Sequence, residues 1–307
     1  MDRTEVNKLF DAVRFSHLAL KPRSAKSHLF GDWDSIYAGE GFDFEEMSEY
    51  VPGDNPRRIN IDASMRAGKT IVVKRKEQRE DRVLVVLDIS PSMFLRDKMA
   101  AAYSAAAMVF ISALRQRIPC GMFIADTSQT AEFLPRLGKK QLYRVKEALE
   151  TSICDGIASV SGLKRNRSGN LALRAWRKAL PKGSCVFVIS DFLGNSDENL
   201  VSLLEERLYG YKVVPVVIQD ELEYSFPTDI PRGGVSVGVL GVETQDVVSI
   251  SISRSQAQRI KQEHEKRFSE LKDTFFRSRL LWAHISSPDL EEMTGILRRA
   301  LHRISKR

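Results

Sequence analysis

Runs of apolar residues alternate with segments of helical periodicity across residues 83–219 of the chain. The predicted strands include RVLVVLDIS from Arg82, SCVFVISD from Ser184 and YKVVPVVIQD from Tyr211. They lack the polar alternation of a half-exposed strand, which is typical of parallel strands buried on both faces. One intervening segment, LRDKMAAAYSAAAMVFISALRQR, is predicted to be a long helix, and its many alanines allow close packing on a sheet. The alternation predicts an α/β fold with a doubly wound, mostly parallel sheet.

The same patterns predict how the sheet ends. QTAEFLP follows a turn and is predicted to form a short antiparallel edge strand, while RLLWAHIS is predicted to be the last strand. The last helix is predicted after it, with Ser287 as its cap and Pro288 at its first position. Between them, residues 222–277 read as an insertion, with a small β-hairpin followed by a charged helix from about Ser255 to Arg277.

The 307-residue chain is predicted to have two parts. Residues 1–82 hold few long apolar runs and a strong turn at VPGDNP, and are predicted to form an N-terminal β-rich lobe. Residues 83–307 are predicted to form the α/β domain that carries the insertion.

Composition and charge narrow the class of protein. No segment has the length and apolar character of a membrane span or signal peptide, so we expect a cytoplasmic protein without one. The three cysteines, Cys120, Cys154 and Cys185, are widely spaced and are predicted to be free thiols. The net charge of +7 is concentrated in residues 83–219, with 18 Lys and Arg against 12 Asp and Glu. This excess suits an acidic protein surface or nucleic acid, but a solvated helix face explains it equally well.

Acids stand at the ends of two predicted strands. Asp88 ends the first buried strand and is followed by hydroxyls at Ser90 and Ser92, and Asp191 ends a later strand. Ligands in open α/β sheets bind at the carboxyl ends of the strands. One carboxylate and two hydroxyls in a D-x-S-x-S pattern are hard oxygen ligands that suit Mg²⁺ or Mn²⁺. The alternative is a structural role, in which the acid caps the next helix and the serines bind loop amides.

The pattern LVVLDISPSM followed by a long helix resembles the metal-ion-dependent adhesion site of von Willebrand factor A domains. The resemblance implies that Ser90 and Ser92 ligate the metal directly and that Asp88 and Asp191 complete the set. A threonine that the family supplies from a later loop has no match here. RNRSGNLALRAW stands in its place, with Ser168 or Asn170 as the nearby oxygen ligands.

A second resemblance covers nearly the whole chain. GEGFDFEEMSEYVPGDNPRRINIDASMRAGKTIVVKRKEQ resembles the signature of the domain of unknown function 58 family, with Ile61 where that family commonly has tryptophan. The resemblance implies a bacterial cytoplasmic protein with a von Willebrand factor A-like core. It also implies work with a MoxR-type AAA+ ATPase in the assembly or maturation of other proteins, and no established catalytic activity.

We therefore expect a non-enzymatic, metal-dependent adaptor that binds the ATPase and an acidic client surface. One alternative is a metal-free scaffold, because the family threonine is missing. A weaker alternative is a metal-dependent nuclease or phosphatase, in which Asp126 and Asp220 join the other strand-end acids. Against this enzyme, Asp126 and Asp220 are expected on strands farther from the site, and no general base stands out. We also expect no nucleic-acid partner.

Overall fold

The computed structural model describes residues 1–14, 18, 20, 46–74, 82–125, 130–155, 180–193, 210–231, 234–240 and 247–305. These residues belong to two compact units, one formed by residues 1–23 and 81–307 and the other by residues 24–80. The described helices and strands are, in chain order, α1 (Arg3–Val13), β1 (Glu46–Glu49), α2 (Ile61–Ala67), β2 (Ile71–Lys74), β3 (Val83–Asp88), α3 (Lys98–Arg115), β4 (Cys120–Ala125), β5 (Thr130–Arg136), α4 (Lys139–Cys154), β6 (Cys185–Ser190), β7 (Lys212–Ile218), α5 (Glu221–Tyr224), β8 (Val235–Leu240), β9 (Val247–Ile252), α6 (Arg254–Arg277), β10 (Ala283–Ile285) and α7 (Leu290–Ser305).

The smaller unit contains a two-stranded antiparallel sheet of β1 and β2, with α2 between them. The predicted turn at VPGDNP is confirmed: the Asp54 amide donates to the Val51 carbonyl, and Gly53 has a φ of +112° that favours glycine. Asn60 caps α2 by accepting from the amide of Ala63, and Gly68 ends the helix in the left-handed conformation.

The larger unit is built on a six-stranded sheet in the order β10-β7-β6-β3-β4-β5. Five strands are parallel, and β5 pairs antiparallel with β4 at one edge. Both edge strands were predicted from the sequence, and the α/β class with a mostly parallel sheet is confirmed. The chain leaves β3 toward β4 and later returns on the other side through β6, so the order of the strands reverses between β3 and β6.

Two apolar layers cover the sheet, which explains why its strands lack polar alternation. Val83, Val85 and Leu87 of β3 face one cluster, together with the alanines of α3, whereas Leu84 and Val86 face another. The N-terminal helix α1 packs on α3 and α4, so its residues belong to the larger unit.

The predicted insertion contains the elements expected from its sequence. Strands β8 and β9 form an antiparallel hairpin, and α6 is the predicted charged helix, starting one residue earlier than expected because Ser253 caps it. Leu271 and Phe275 on α6 are buried in the second apolar layer. The helix therefore attaches the insertion to the sheet.

The predicted start of the last helix was wrong. Helix α7 begins at Leu290, and Asp289 caps it by accepting from the amide of Glu292 at 2.8 Å. The Ser287 hydroxyl accepts from the amide of Asp289 instead. The carboxylate of Asp289 reaches the third amide of the helix, and this fixes the boundary two residues beyond the predicted one.

Each edge of the sheet has a distinct irregularity. The pairing of β4 with β5 shifts register between Cys120 and Met122. A side chain at Gly121 would meet the Phe133 carbonyl oxygen at 2.5 Å and the ring of Pro135 at 2.9 Å, so the bulge requires glycine. At the other edge, β10 has three residues.

Other sequence predictions concern the cysteines, the membrane and two helices. Cys120, Cys154 and Cys185 form no disulfide, as predicted, and burial raises the pKa of the Cys120 thiol. In the described part of the chain, every helix is too short or too polar to cross a bilayer. The helices predicted in GNLALRAWRKALP and SDENLVSLLEERLYG lie almost wholly outside the described residues.

Candidate metal centre

Asp88 lies at the carboxyl end of β3, a strand near the middle of the sheet. Asp191 directly follows the neighbouring strand β6, so the two acids flank the point where the strand order reverses. Crevices at such reversal points are where open α/β sheets bind ligands. The fold thus places both predicted acids at the position where a ligand is expected.

Neutral donors hold the carboxylate of Asp88. Its Oδ1 atom accepts from the amide of Ser90 at 2.8 Å, and its Oδ2 atom accepts from the hydroxyl of Ser190 at 2.7 Å. The Ser190 hydroxyl also accepts from the amide of Phe192. The two strand ends are therefore joined by a hydrogen bond, and the carboxylate is fixed in orientation.

Burial raises the pKa of Asp88 above its ordinary value, because the charged form loses hydration. The hydrogen bonds from Ser190 and Ser90 lower the pKa and so oppose this effect, while the negative charge of Asp191 adds to it. The carboxylate lacks a fixed positive partner among the ion pairs of the described residues. A bound cation would stabilise its charged form.

Ser90 and Ser92 lie on the short turn that leaves β3, where Pro91–Phe94 form a single turn of 3-10 helix. Their hydroxyl oxygens are 3.2 Å apart. Adjacent ligands of an octahedral Mg²⁺ at about 2.1 Å from the ion are about 3.0 Å apart, so the spacing fits two neighbouring ligands of one ion. Asp88, Ser90 and Ser92 are the predicted site residues that the structure brings together.

Asp191 has a different environment, because a lysine lies against it. The side chain is buried, and its Oδ2 atom is 2.9 Å from the Nζ atom of Lys98. Its Oδ1 atom accepts from the amide of Leu193 at 3.1 Å, and its main-chain carbonyl accepts from Gln219. The residue that follows it, Phe192, has a φ of +53°, a turn of the backbone that non-glycine residues rarely adopt.

Of the other candidate ligands, the structure describes Asp220 alone. Asp220 caps α5 and pairs with Arg96 at 3.1 Å, which commits it to a structural role. Ser168, Asn170 and Asp126 lie outside the described residues. Within the described ranges, no group of three or more histidine, cysteine, aspartate or glutamate side chains could hold a metal. Among the described residues, the predicted site therefore brings together one carboxylate and two hydroxyls, oxygen groups of the kind that suit Mg²⁺ or Mn²⁺.

Lys98, Glu223 and Ser190 are important residues that the sequence did not reveal. Lys98 did leave one signal: it stands in the first turn of α3, where the helix dipole favours acids over lysines. This unfavourable position singles out Lys98 but does not reveal which acids pair with it. Ser190 gave no signal, because it resembles any residue that ends a buried strand.

Comparison with known proteins identifies the family. Residues 46–271 match the family described as "Protein of unknown function DUF58". The chain belongs to this family. The match includes residues 46–80 of the smaller unit, β3 with its D-x-S-x-S turn, and most of α6, so the sequence resemblance to DUF58 is confirmed. No curated protein matches this DUF58 chain at a significant level.

Solved structures similar to this DUF58 protein are remote in sequence. The conserved hypothetical protein BatB from Bacteroides thetaiotaomicron is 15% identical, with 74% of this chain and 100% of that chain covered and a TM-score of 0.40. An aerotolerance-related membrane protein from Bacteroides fragilis NCTC 9343 is 14% identical, covering 73% and 99%, with a TM-score of 0.38. A von Willebrand factor type A protein from Catenulispora acidiphila is 12% identical, covering 75% and 44%, with a TM-score of 0.35.

Proposed function

We propose that this DUF58 protein is a non-enzymatic, metal-dependent protein-binding adaptor. The observation that carries the proposal is the pair of hydroxyl oxygens of Ser90 and Ser92, which lie 3.2 Å apart beside the carboxylate of Asp88. We assign these three side chains to holding Mg²⁺ or Mn²⁺. A bound divalent ion supplies a positive charge that attracts a partner's carboxylate.

Electrostatics supports the same assignment. Asp88 is half-buried, its neighbour Asp191 is also acidic, and burial raises the pKa of Asp88. A carboxylate held in this way by neutral donors keeps an uncompensated negative charge, which a bound cation would stabilise. A structural acid at the end of a strand would more often have an arginine, a lysine or a helix N-terminus as its partner.

The partner that we propose is a MoxR-type AAA+ ATPase, with an acidic surface on the client protein. The excess of Lys and Arg in residues 83–219 would favour encounter with such a surface, since charge complementarity increases association rates. The adaptor would support assembly or maturation of the client by holding it near the ATPase. No covalent chemistry is assigned to the adaptor itself.

The proposal is tested by measuring binding to the cognate ATPase in four conditions: wild type and Asp88→Ala, each with and without a chelator. We expect the substitution and the chelator to weaken binding to a similar extent, and the combination to add almost nothing, because both remove the same interaction. Asp273→Ala is the matched control, since Asp273 is an exposed acid on α6. Undiminished binding in all four conditions would refute the adaptor.

A metal-free scaffold is the second candidate. One observation favours it: the Lys98 ammonium already occupies a position against Asp191 that the family resemblance gives to a metal. The scaffold would bind through other surfaces and would ignore both the chelator and the substitution at Asp88.

A further inference from the structure

Lys98 is a buried lysine beside the candidate metal centre. Its side chain is 3% exposed, and it lies in the first turn of α3. Lysine is almost never fully buried unless it is paired, because its ammonium loses hydration. Its burial here needs an explanation from its partners.

Two carboxylates share the ammonium. Its Nζ atom lies 2.9 Å from Oδ2 of Asp191 and 2.6 Å from Oε1 of Glu223. Glu223 belongs to α5, at the start of the insertion, and Asp191 follows β6. The lysine thus ties three separate segments together at the carboxyl ends of the strands.

Both carboxylates use their second oxygen as well. Oδ1 of Asp191 accepts from the amide of Leu193, and Oε2 of Glu223 accepts from the amide of Asp220. Each side chain is therefore held at both oxygens, one by the ammonium and one by a main-chain amide. Asp191 cannot turn an oxygen toward Asp88 without breaking one of these bonds.

We propose that Lys98 holds Asp191 out of the coordination shell and thereby limits the affinity of the centre for a divalent cation. This inference rests on the proposed function, because it concerns the ion at Asp88, Ser90 and Ser92. It departs from the family resemblance, in which the acid at this strand end completes the ligand set. The lysine therefore determines how the centre binds an ion. Few protein carboxylates then coordinate the divalent ion, so the bound ion keeps a net positive charge.

Charge explains the expected direction. With Lys98 present, Asp191 and Glu223 share one positive charge, whereas without it both carboxylates are uncompensated. Removal of the ammonium frees an Asp191 oxygen and adds negative potential beside Asp88, and both changes favour a divalent cation. Removal of Asp191 takes away one nearby negative charge but no ligand of the ion, so it should weaken cation binding only modestly.

The test is Mn²⁺ binding to the full-length protein, followed by electron paramagnetic resonance of the free ion and by calorimetry. The variants are Lys98→Met and Asp191→Asn. Lys146→Met is the matched control, because Lys146 pairs with Glu150 on α4. We expect Lys98→Met to bind Mn²⁺ about tenfold more tightly or better, and Asp191→Asn to weaken the affinity by less than about tenfold, because it removes a charge but no ligand. The Asp191→Asn measurement decides the inference if Lys98→Met does not fold.

The outcomes separate this inference from the proposed function. If the wild type binds Mn²⁺ and Lys98→Met binds it equally or more weakly, the role of Lys98 is overturned and the metal centre stands. The same holds if Asp191→Asn lowers the affinity for Mn²⁺ tenfold or more. If the wild type does not bind Mn²⁺ but Lys98→Met does, and Asp88→Ala abolishes binding by Lys98→Met, the role of Lys98 is supported and the metal-dependent adaptor is overturned. No binding by any variant overturns both.

Discussion

The ends of β3 and β6 look alike in sequence and differ in chemistry. Each is a mostly buried, mostly apolar strand with an aspartate at its carboxyl end, Asp88 as the last residue of β3 and Asp191 directly after Ser190 of β6, and the two strands are parallel neighbours. Asp88 accepts hydrogen bonds from an amide and a hydroxyl, whereas Asp191 forms an ion pair with the ammonium of Lys98. One acid is left with an uncompensated charge, and the other has a lysine built in to compensate it.

The difference shows that the position of an acid in a fold does not determine what the acid binds. Both aspartates stand where a ligand of an α/β sheet is expected. Asp191 pairs with Lys98, which lies 93 positions earlier in the chain. Asp88 bonds to Ser90 in the turn that follows it and to Ser190 on the neighbouring strand β6. At the carboxyl ends of these strands, the carboxylate without a positively charged partner among the described residues is therefore that of Asp88.

The largest effect is expected from removing the ammonium at the end of β6. Lys98→Met leaves the buried carboxylate of Asp191 without its cation, so the free energy of unfolding should fall by about 3–5 kcal/mol. Chemical denaturation in the presence of a chelator measures this. Adding Asp191→Asn should recover part of the loss, since the uncompensated charge is then absent. A loss below about 1 kcal/mol would show that the pair contributes little.

The corresponding change at the end of β3 should act on metal binding rather than on folding. Mg²⁺ at 100 times its dissociation constant should stabilise the wild type by about 2.7 kcal/mol, because it binds the folded state. Asp88→Asn should abolish this stabilisation by Mg²⁺. In the presence of a chelator, the variant should remain at least as stable as the wild type. Thermal unfolding with and without Mg²⁺ measures both. Equal Mg²⁺ stabilisation of the two proteins would place the metal elsewhere.

The pH dependence of stability should distinguish the two ends further. The pKa of Asp88 is raised in the folded state from its ordinary value of 3.8, so the folded protein holds its proton to higher pH than the unfolded chain does. The contribution of Asp88 to stability is thus full below pH 3.8 and is lost as the pH rises through the raised pKa. In chelator, the wild type should lose stability relative to Asp88→Asn over that window. A constant difference would indicate that the pKa is not raised.

The smallest effect is expected at the exposed ion pair beside the centre. Arg96 is 58% exposed and lies 3.1 Å from Asp220, so Arg96→Gln should cost less than about 1 kcal/mol of unfolding free energy. The Mg²⁺ response should remain, since neither residue belongs to the centre. A larger loss would mean that the pair stabilises α5, whose cap is Asp220.

Much of the fold could be predicted because its signals are local. Uninterrupted apolar runs located the central strands, and the pattern of QTAEFLP located the edge strand β5. Helix starts were less certain, because a serine and an aspartate two residues apart compete to cap α7. Local sequence names the candidates, and the geometry of the turn decides between them.

The candidate site was only half predictable, for a physical reason. Asp88, Ser90 and Ser92 lie within five residues, so their spacing alone suggests convergence. The partners Lys98 and Glu223 are 125 residues apart in sequence and meet because α3 begins near the segment that follows β7. No local pattern in either segment specifies the other. A buried ion pair between distant segments is a property of the packed sheet.

The bulge in β5 opposite Gly121 has a consequence for how the protein behaves in a crowded cell. A long, regular edge strand can template further strands from other chains and start a fibril. Here a shift in register and Pro135 interrupt β5 at one edge, and β10 at the other edge offers three residues. The bulge thus limits the growth of the sheet beyond six strands, which protects a protein with so many buried β-branched residues from aggregation.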